Sequence, residues 1–423
     1  MDANSQYARG RQKVTPAPWQ ASSRRASPAG SILAGFFILG IGLCAAVPAW
    51  GDEKIVRVTT QASLNQALSQ AKPGTRIQIA EGRYRAGIRG TGVRGTKEQP
   101  ITIEGLDLNS PPLFAGGNEG WHLTDCAHLT LRNIAVSGQR HNGINIDDGG
   151  TYETPSHHIV LENIRVNDVG PEGNCDAIKL SGVDDFVVRN CRIDGWGGQA
   201  IDMVGCHRGL IENCELRGKE GFAQATGLQT KGGSRDIIIR RCRLYDAGAR
   251  GVNLGGSTGR QFFRPLDANY EARNIAVEGC VFVGSEVPVA FVGVDGATVR
   301  YNTIYHPGKW VFRILQETTA DGFLPCRHGR FQRNLIVFRA SDVRTAGNIG
   351  PHTQPASFTF DDNYWYCEDR PAASRPSLPV KETGGVYGDD PQLKSARDQD
   401  FTPQAKTAAA YGASAFKPDS AAQ

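Results

Sequence analysis

One short phrase returns along the middle of the chain: an apolar residue, a polar one, most often asparagine, and then isoleucine or cysteine. It reads Leu131-Arg-Asn-Ile134, Leu161-Glu-Asn-Ile164, Val188-Arg-Asn-Cys191 and Ile211-Glu-Asn-Cys214. Looser versions follow as Ile239-Arg-Arg-Cys242, Val277-Glu-Gly-Cys280, Val299-Arg-Tyr-Asn302 and Phe331-Gln-Arg-Asn334. The intervals run from 22 to 38 residues, and the shortest match one coil of a three-strand solenoid. Short alternating strands, turn residues and almost no helical pattern predict an all-β, right-handed parallel β-helix. In such a stack each coil buries its inward residues only against the coils above and below.

A second strand repeats in step with the first. Its members are Gly143-Ile-Asn-Ile146, Ala177-Ile-Lys-Leu180, Ala200-Ile-Asp-Met203, Gly227-Leu-Gln-Thr230, Gly251-Val-Asn-Leu254 and Val311-Phe-Arg-Ile314. A period of two turns the aliphatic residues inward. The outward column is then Asn145, Lys179, Asp202, Gln229, Asn253 and Arg313, with Lys179 a candidate catalytic residue and the others, together with Tyr270, candidate substrate contacts. With coils about 4.8 Å apart, Lys179 and Gln229 are separated by roughly the span of a disaccharide. The longer coils carry their extra residues on both sides of this strand, as at 148–157, 167–175, 218–225, 256–272 and 316–328. Loops so placed wall a groove. Their aromatic residues, Tyr152, Phe222, Phe262, Phe263 and Tyr270, are candidates for stacking on sugar rings, or for packing the loops down.

The ends of the chain differ from the middle. Residues 1–51 form an export segment: a basic lead, an apolar run from Ile32 to Val47, and the small-residue stretch Pro48-Ala-Trp-Gly51. The apolar run is short for a membrane span, so a secreted or periplasmic protein is expected. Residues 60–71 carry apolar side chains at helical spacing and predict a short helix capping the open end of the stack. The β-helix is expected over 52–350, with a final coil and tail over 351–423 and a disordered end past Ala415.

Composition narrows the partners. Glycine at 51 positions against 2 methionines suits strands joined by turns. The net charge of +4, from 47 basic and 43 acidic residues, gives no basic run for nucleic acid. A monomer acting on an anionic polysaccharide, without a stable membrane partner, is expected. Of ten cysteines, Cys191, Cys214, Cys242 and Cys280 share one repeat position and read as buried thiols. Cys326 and Cys367 are candidates for a disulfide, and no CxxC spacing indicates zinc.

The opening, Lys72-Pro-Gly-Thr-Arg-Ile-Gln-Ile-Ala-Glu-Gly-Arg-Tyr84 followed by Gly95-Thr-Lys-Glu-Gln-Pro-Ile-Thr-Ile103, resembles the start of the chondroitinase B and alginate lyase family. Lys231-Gly-Gly-Ser-Arg-Asp-Ile-Ile-Ile-Arg-Arg-Cys242 is similar to the segment bearing that family's catalytic lysine. The resemblance implies β-elimination on a uronic-acid polymer, with Lys231 as the base. Where the family has acidic calcium ligands this chain has Gln224 and Thr226, and where it has an arginine and a histidine one coil later this chain has Gly255-Gly256. No cofactor follows from the residues themselves, and Ca2+ is the candidate that the resemblance supplies.

A lysine base works best among other cations, and Arg250, Lys179 and Arg313 are assigned to such a cluster. Arg250 or Lys179 could also stand in for the missing acid. A hydrolase would instead need paired carboxylates, for which Asp147, Asp148, Asp176 and Asp202 are available. The Gly-His-Gly segment of the β-helix pectin hydrolases is absent, His207 lying in Cys206-His-Arg-Gly209. A C5-epimerase and a non-catalytic carbohydrate-binding or adhesion protein are the remaining readings.

Overall fold

The computed structural model describes residues 54–418; the export segment expected at 1–51 lies outside the described residues. The repeat translates directly into architecture. Successive strands pass through three parallel sheets in turn, of 12, 12 and 10 strands among the described residues. The first sheet runs from Lys54–Val58 to Thr359–Asp361, and the second from Arg83–Arg85 to Val386–Tyr387. The third, from Ile88–Thr91 to Gly347–Ile349, carries the outward polar column and is called the cleft sheet below. The chain is a parallel β-helix.

Among the described residues a single α-helix, Gln61–Ser69, lies between the first two strands of the first sheet. Thr60 caps it: its side chain accepts from the Ser63 N–H while Ser63 returns the bond to the Thr60 N–H. This reciprocal arrangement satisfies two otherwise orphaned donors. Leu64, Ala67 and Leu68 face inward and close that end of the core.

The recurring phrase occupies the corner between the first and second sheets. Asn133, Asn163, Asn190 and Asn213 all adopt left-handed backbone there, with φ between 53° and 56°. Asparagine tolerates that conformation better than most side chains, which is why it returns. The following residue points inward and forms a column from coil to coil: Ile134, Ile164, Cys191, Cys214, Cys242, Cys280, Asn302, Asn334, Asn363. The thiols are buried and unpaired, as expected.

The last three members of that column form an amide ladder. Asn302 Nδ2 donates to Asn334 Oδ1 at 3.0 Å, and Asn334 Nδ2 donates to Asn363 Oδ1 at 3.0 Å. Asn363 Nδ2 finishes the series on Glu382 Oε1 at 2.7 Å. Each amide also donates to a backbone carbonyl, on Val277, Val299 and Phe331 respectively, so the buried polar atoms are satisfied.

Two expectations fail here. Cys326 and Cys367 are both free and buried, one at the edge of the first sheet and the other in the second, on different walls of the solenoid. The chain past Ala415 is ordered to residue 418, because Phe416 buries its ring between Gly279 and Tyr301.

The ladder generates a stability prediction. Asn334→Ala should cost about 2–3 kcal/mol, because it strands the Asn302 and Asn363 amides inside the core. Cys242→Ala, which removes one sulfur atom from an apolar neighbourhood, should cost about 1 kcal/mol. Urea unfolding followed by circular dichroism checks the order; equal losses would deny the ladder its role.

Candidate active site

The register of the cleft sheet aligns the outward column coil by coil. Asn145 pairs with Lys179, Lys179 with Asp202, Asp202 with Gln229, and Gln229 with Asn253. Between Asn253 and Arg313 stands one further coil, Val287–Val292, whose outward member is Ala290. Extended the other way, the column continues through His122 and Arg89. Lys231 lies two residues beyond Gln229 on the same strand, opposite Val204, and so faces outward in the neighbouring column.

A cleft of about 910 Å³ opens over this face, lined by His122, Asn145, Asp147, Lys179, Lys231 and Phe262 among others. Its walls are the 148–156 and 256–271 loops. The loops meet: Tyr152 donates its hydroxyl to the Gln261 carbonyl at 2.5 Å, and Arg264 Nε donates to the Tyr152 carbonyl at 3.4 Å. Arg264 is anchored in turn to Asp184 by two bonds, of 2.6 and 3.1 Å. Glu271, fully buried, accepts from the N–H groups of Gly232 and Thr258 and from the Thr258 hydroxyl. It thereby fastens the root of the second loop to the turn that follows Lys231.

The centre of the floor is a shared carboxylate. Lys179 Nζ donates to Asp176 Oδ2 at 2.9 Å and to Asp202 Oδ2 at 3.0 Å. Lys231 Nζ approaches the same Asp202 oxygen at 3.5 Å. Both aspartates are 0% exposed, whereas the two lysines retain 19% and 16% of their side-chain surface, on the cleft. Burial works against the Lys179 charge, but Asp202 and then Asp176 outweigh it and hold the ammonium well above the ordinary lysine range. Burial, and then the negative charge of Asp202, push Asp176 upward, with Lys179 opposing. Lys179 is therefore a fixed cation, while Lys231 makes one longer contact with a carboxylate that Lys179 already engages.

Of the cationic cluster expected around Lys231, Lys179 is present and the two arginines are not. Arg250 pairs with Thr226, at the opposite end of the strand from Lys231, and its guanidinium is held by Glu317 at 2.7 Å and Asn253 at 3.2 Å. Arg313 lies near Arg250, against the Trp310 ring, and donates to Asn348 at 2.9 Å. Burial and then Arg250 lower its affinity for the proton. Arg250 and Arg313 thus make a second basic patch further along the sheet, apart from the lysines.

Three proposed substrate contacts are covered. Gln229 and Asn253 are buried beneath the Gly255-Gly256 crossing, each donating to the Gly255 carbonyl, at 3.4 and 3.3 Å. Glycine is required in that crossing: at Gly255, with φ of 106°, a Cβ would lie 1.7 Å from the Val292 carbonyl oxygen. Tyr270 is 6% exposed and packs with Phe263 and Ala268 inside its own loop, under the guanidinium of Arg273. It is a loop anchor rather than a sugar platform. The exposed ring at the cleft is Phe262, with Tyr152 opposite.

Several site residues escaped the sequence reading. His122 joins the outer end of the cleft, its Nε2 2.6 Å from Asp147 and its Nδ1 3.0 Å from Glu119. Asn145 sits beside it, its amide 3.4 Å from Glu119. His122 lies in Trp121-His-Leu-Thr124, which continues the column one coil backwards, so extending the repeat would have found it. Asp176, two residues before the Ile178–Ser181 strand, was a candidate hydrolase carboxylate, but its bond to Lys179 was not legible because it lies at a corner.

A calcium ion does not fit this donor set. Asp176 and Asp202 are already neutralised by ammonium groups at 2.9–3.5 Å, which would repel a divalent cation. Gln224, at a position where the resemblance would place a ligand, commits its amide to the Lys219 carbonyl.

Residues 119–304 match the family described as the right handed beta helix region. Among solved structures, the pectate lyase Pel9A superposes with a TM-score of 0.51 at 12% identity, over 73% of this chain and 79% of that one. A rhamnogalacturonan lyase gives 0.51 at 14% identity, over 71% and 82%. An alginate lyase from Paenibacillus sp. str. FPU-7 gives 0.47 at 17%, over 71% and 99%. No curated protein matches the sequence. The protein is a right-handed parallel β-helix.

The loop anchor yields a pH prediction. Burial would raise Asp184, but hydrogen bonds from His207 and Arg264 prevail and hold its carboxyl well below the usual range. A depressed carboxylate stabilises the fold above its unfolded value, near 3.9, and loses that contribution as pH falls through the folded one. Asp184→Asn should therefore lower stability by about 2–3 kcal/mol at neutral pH, and the gap to the wild type should narrow in strong acid. Thermal unfolding from pH 7 to pH 3 reads this, and a gap independent of pH would contradict it.

Proposed function

We propose that the protein is a polysaccharide lyase that cleaves a uronic-acid-containing polymer by β-elimination in the cleft over Asp202. The observation that carries this reading is the convergence of two lysines, one fixed and one loosely held, on a single buried carboxylate. Elimination needs the uronate carboxylate neutralised, so that its neighbouring C–H becomes acidic. Lys179 has three donors and spends two on Asp176 and Asp202, leaving one for a substrate carboxylate. Lys231, as the neutral amine, is then the group best placed to take the C5 proton. As the C4–O bond breaks and the C4=C5 bond forms, the same lysine returns the proton to the departing oxygen. Phe262 and Tyr152 supply rings at the rim for stacking, and the His122–Asp147 pair offers hydrogen bonds to a neighbouring sugar. The basic and apolar lead of the chain supports action outside the cytoplasm, where such polymers are met.

The test is a screen of purified protein against alginate, pectate, glucuronan and chondroitin. An unsaturated uronate product, seen by its ultraviolet absorbance, is the expected result. Lys231→Ala should lower kcat by about 10²–10⁴ with the fold and polymer binding kept. Lys179→Ala should weaken binding as well, since it removes the cation that meets the carboxylate and leaves the buried Asp176 without its ammonium partner. New reducing ends without the absorbance would instead assign hydrolysis. Inversion at C5 without chain shortening would assign epimerisation, and binding without turnover would assign adhesion.

A further inference from the structure

Across the turn from the cleft, where the 148–156 loop rejoins the first sheet, three histidines stand together. His157 opens the strand after the loop and pairs with Ala127 on the coil before. His128 and His158 are skipped by that ladder and adopt left-handed backbone, with φ of 49° and 54°. The same bulge recurs coil after coil, at Asp185, Arg208, Asp236 and Asn274, and it stacks successive side chains directly over one another. The His128 and His158 rings accordingly stack at 4.3 Å, and His157 meets each of them edge-on.

We propose that His128, His157 and His158 form a binding site for a divalent transition-metal ion of the zinc class. Each offers one ring nitrogen, and these atoms lie within 4.8 Å of one another. The Nδ1 atoms of His157 and His158 are only 2.9 Å apart, so both cannot carry a proton; they share one proton or one metal. With metal–nitrogen bonds of about 2.0–2.1 Å, ligand nitrogens in a tetrahedral site are separated by roughly 3.3 Å, so the two already stand near that spacing. A modest rotation of the His128 ring brings in the third. Imidazole suits zinc, nickel and copper, and three protein ligands leave a position open to water.

The charged surroundings are mixed. Glu98 favours a cation beside His128 and Lys97 opposes it, while Arg94 opposes and Asp185 favours one beside His157. Asp185 is itself engaged by Arg208 at 2.7 Å and is not free to be a fourth ligand. The cleft chemistry uses none of the three histidines. A bound ion would tie two successive coils together at the foot of the loop that walls the cleft.

The experiment titrates Zn2+, and separately Ni2+, into untagged, metal-stripped full-length protein by calorimetry, with unfolding temperature as a second readout. One equivalent should bind saturably and raise the unfolding temperature. His128→Asn and His158→Asn, chosen because asparagine keeps the left-handed backbone, should each weaken binding by about 100-fold or more while leaving the circular dichroism unchanged. Lys231→Ala should bind as the wild type does, which separates this site from the cleft. Absence of saturable uptake by the wild type, or uptake unchanged in both asparagine variants, overturns the proposal.

Discussion

In-register hydrogen bonding between successive coils governs the rest of this molecule. Because each strand pairs with its equivalent one coil away, every side chain meets the same repeat position above and below, at about 4.8 Å. A residue is therefore acceptable only if it stacks on its own column. The inward corner column meets this in three ways along its length: isoleucine first, then four thiols, then three asparagines. The last solution works because an amide both donates and accepts along the stack, and because Glu382 closes the series.

The same constraint shapes the candidate site. An outward column brings Lys179 and Asp202 into adjacent coils and leaves Lys231 one pleat away. Burying two carboxylates without compensation costs several kcal/mol each, so Lys179, which bonds both, is needed by the fold as well as by any chemistry. Asp202 sits between the two lysines, holding the Lys179 ammonium at the cleft floor and leaving Lys231 one longer contact. The flexible parts of a lysine are thus spent before a polymer arrives, which lowers the ordering cost of binding. The roof is equally fixed, through Arg264 on Asp184 and Glu271 on Gly232.

Much of this was legible in the sequence, because the fold repeats and repetition is visible as a period. The strand column Asn145–Lys179–Asp202–Gln229–Asn253 emerged with its register intact. The Val287–Val292 coil was passed over because its outward residue, Ala290, carries no polar signal. Features that depend on where a loop travels were illegible. Nothing in Gly255-Gly256 announces that the backbone crosses over Gln229, nor does Tyr270 reveal that its ring turns into its own loop. Arg250 was misplaced for a different reason. It was assigned with Lys231 to one cationic face, whereas the register sets the two at opposite ends of a strand. The histidine trio needed the bulge column, which appears only as backbone conformation.

The most direct test of the account is a crystal structure of the Lys231→Ala variant with a uronate oligosaccharide bound. The account predicts a uronate carboxylate within hydrogen-bonding distance of Lys179 Nζ, with C5 directed at the space vacated by Lys231. It also predicts sugar rings against Phe262 and Tyr152. An oligosaccharide seated instead on Arg250 and Arg313, with the Asp202 cleft empty, would contradict it.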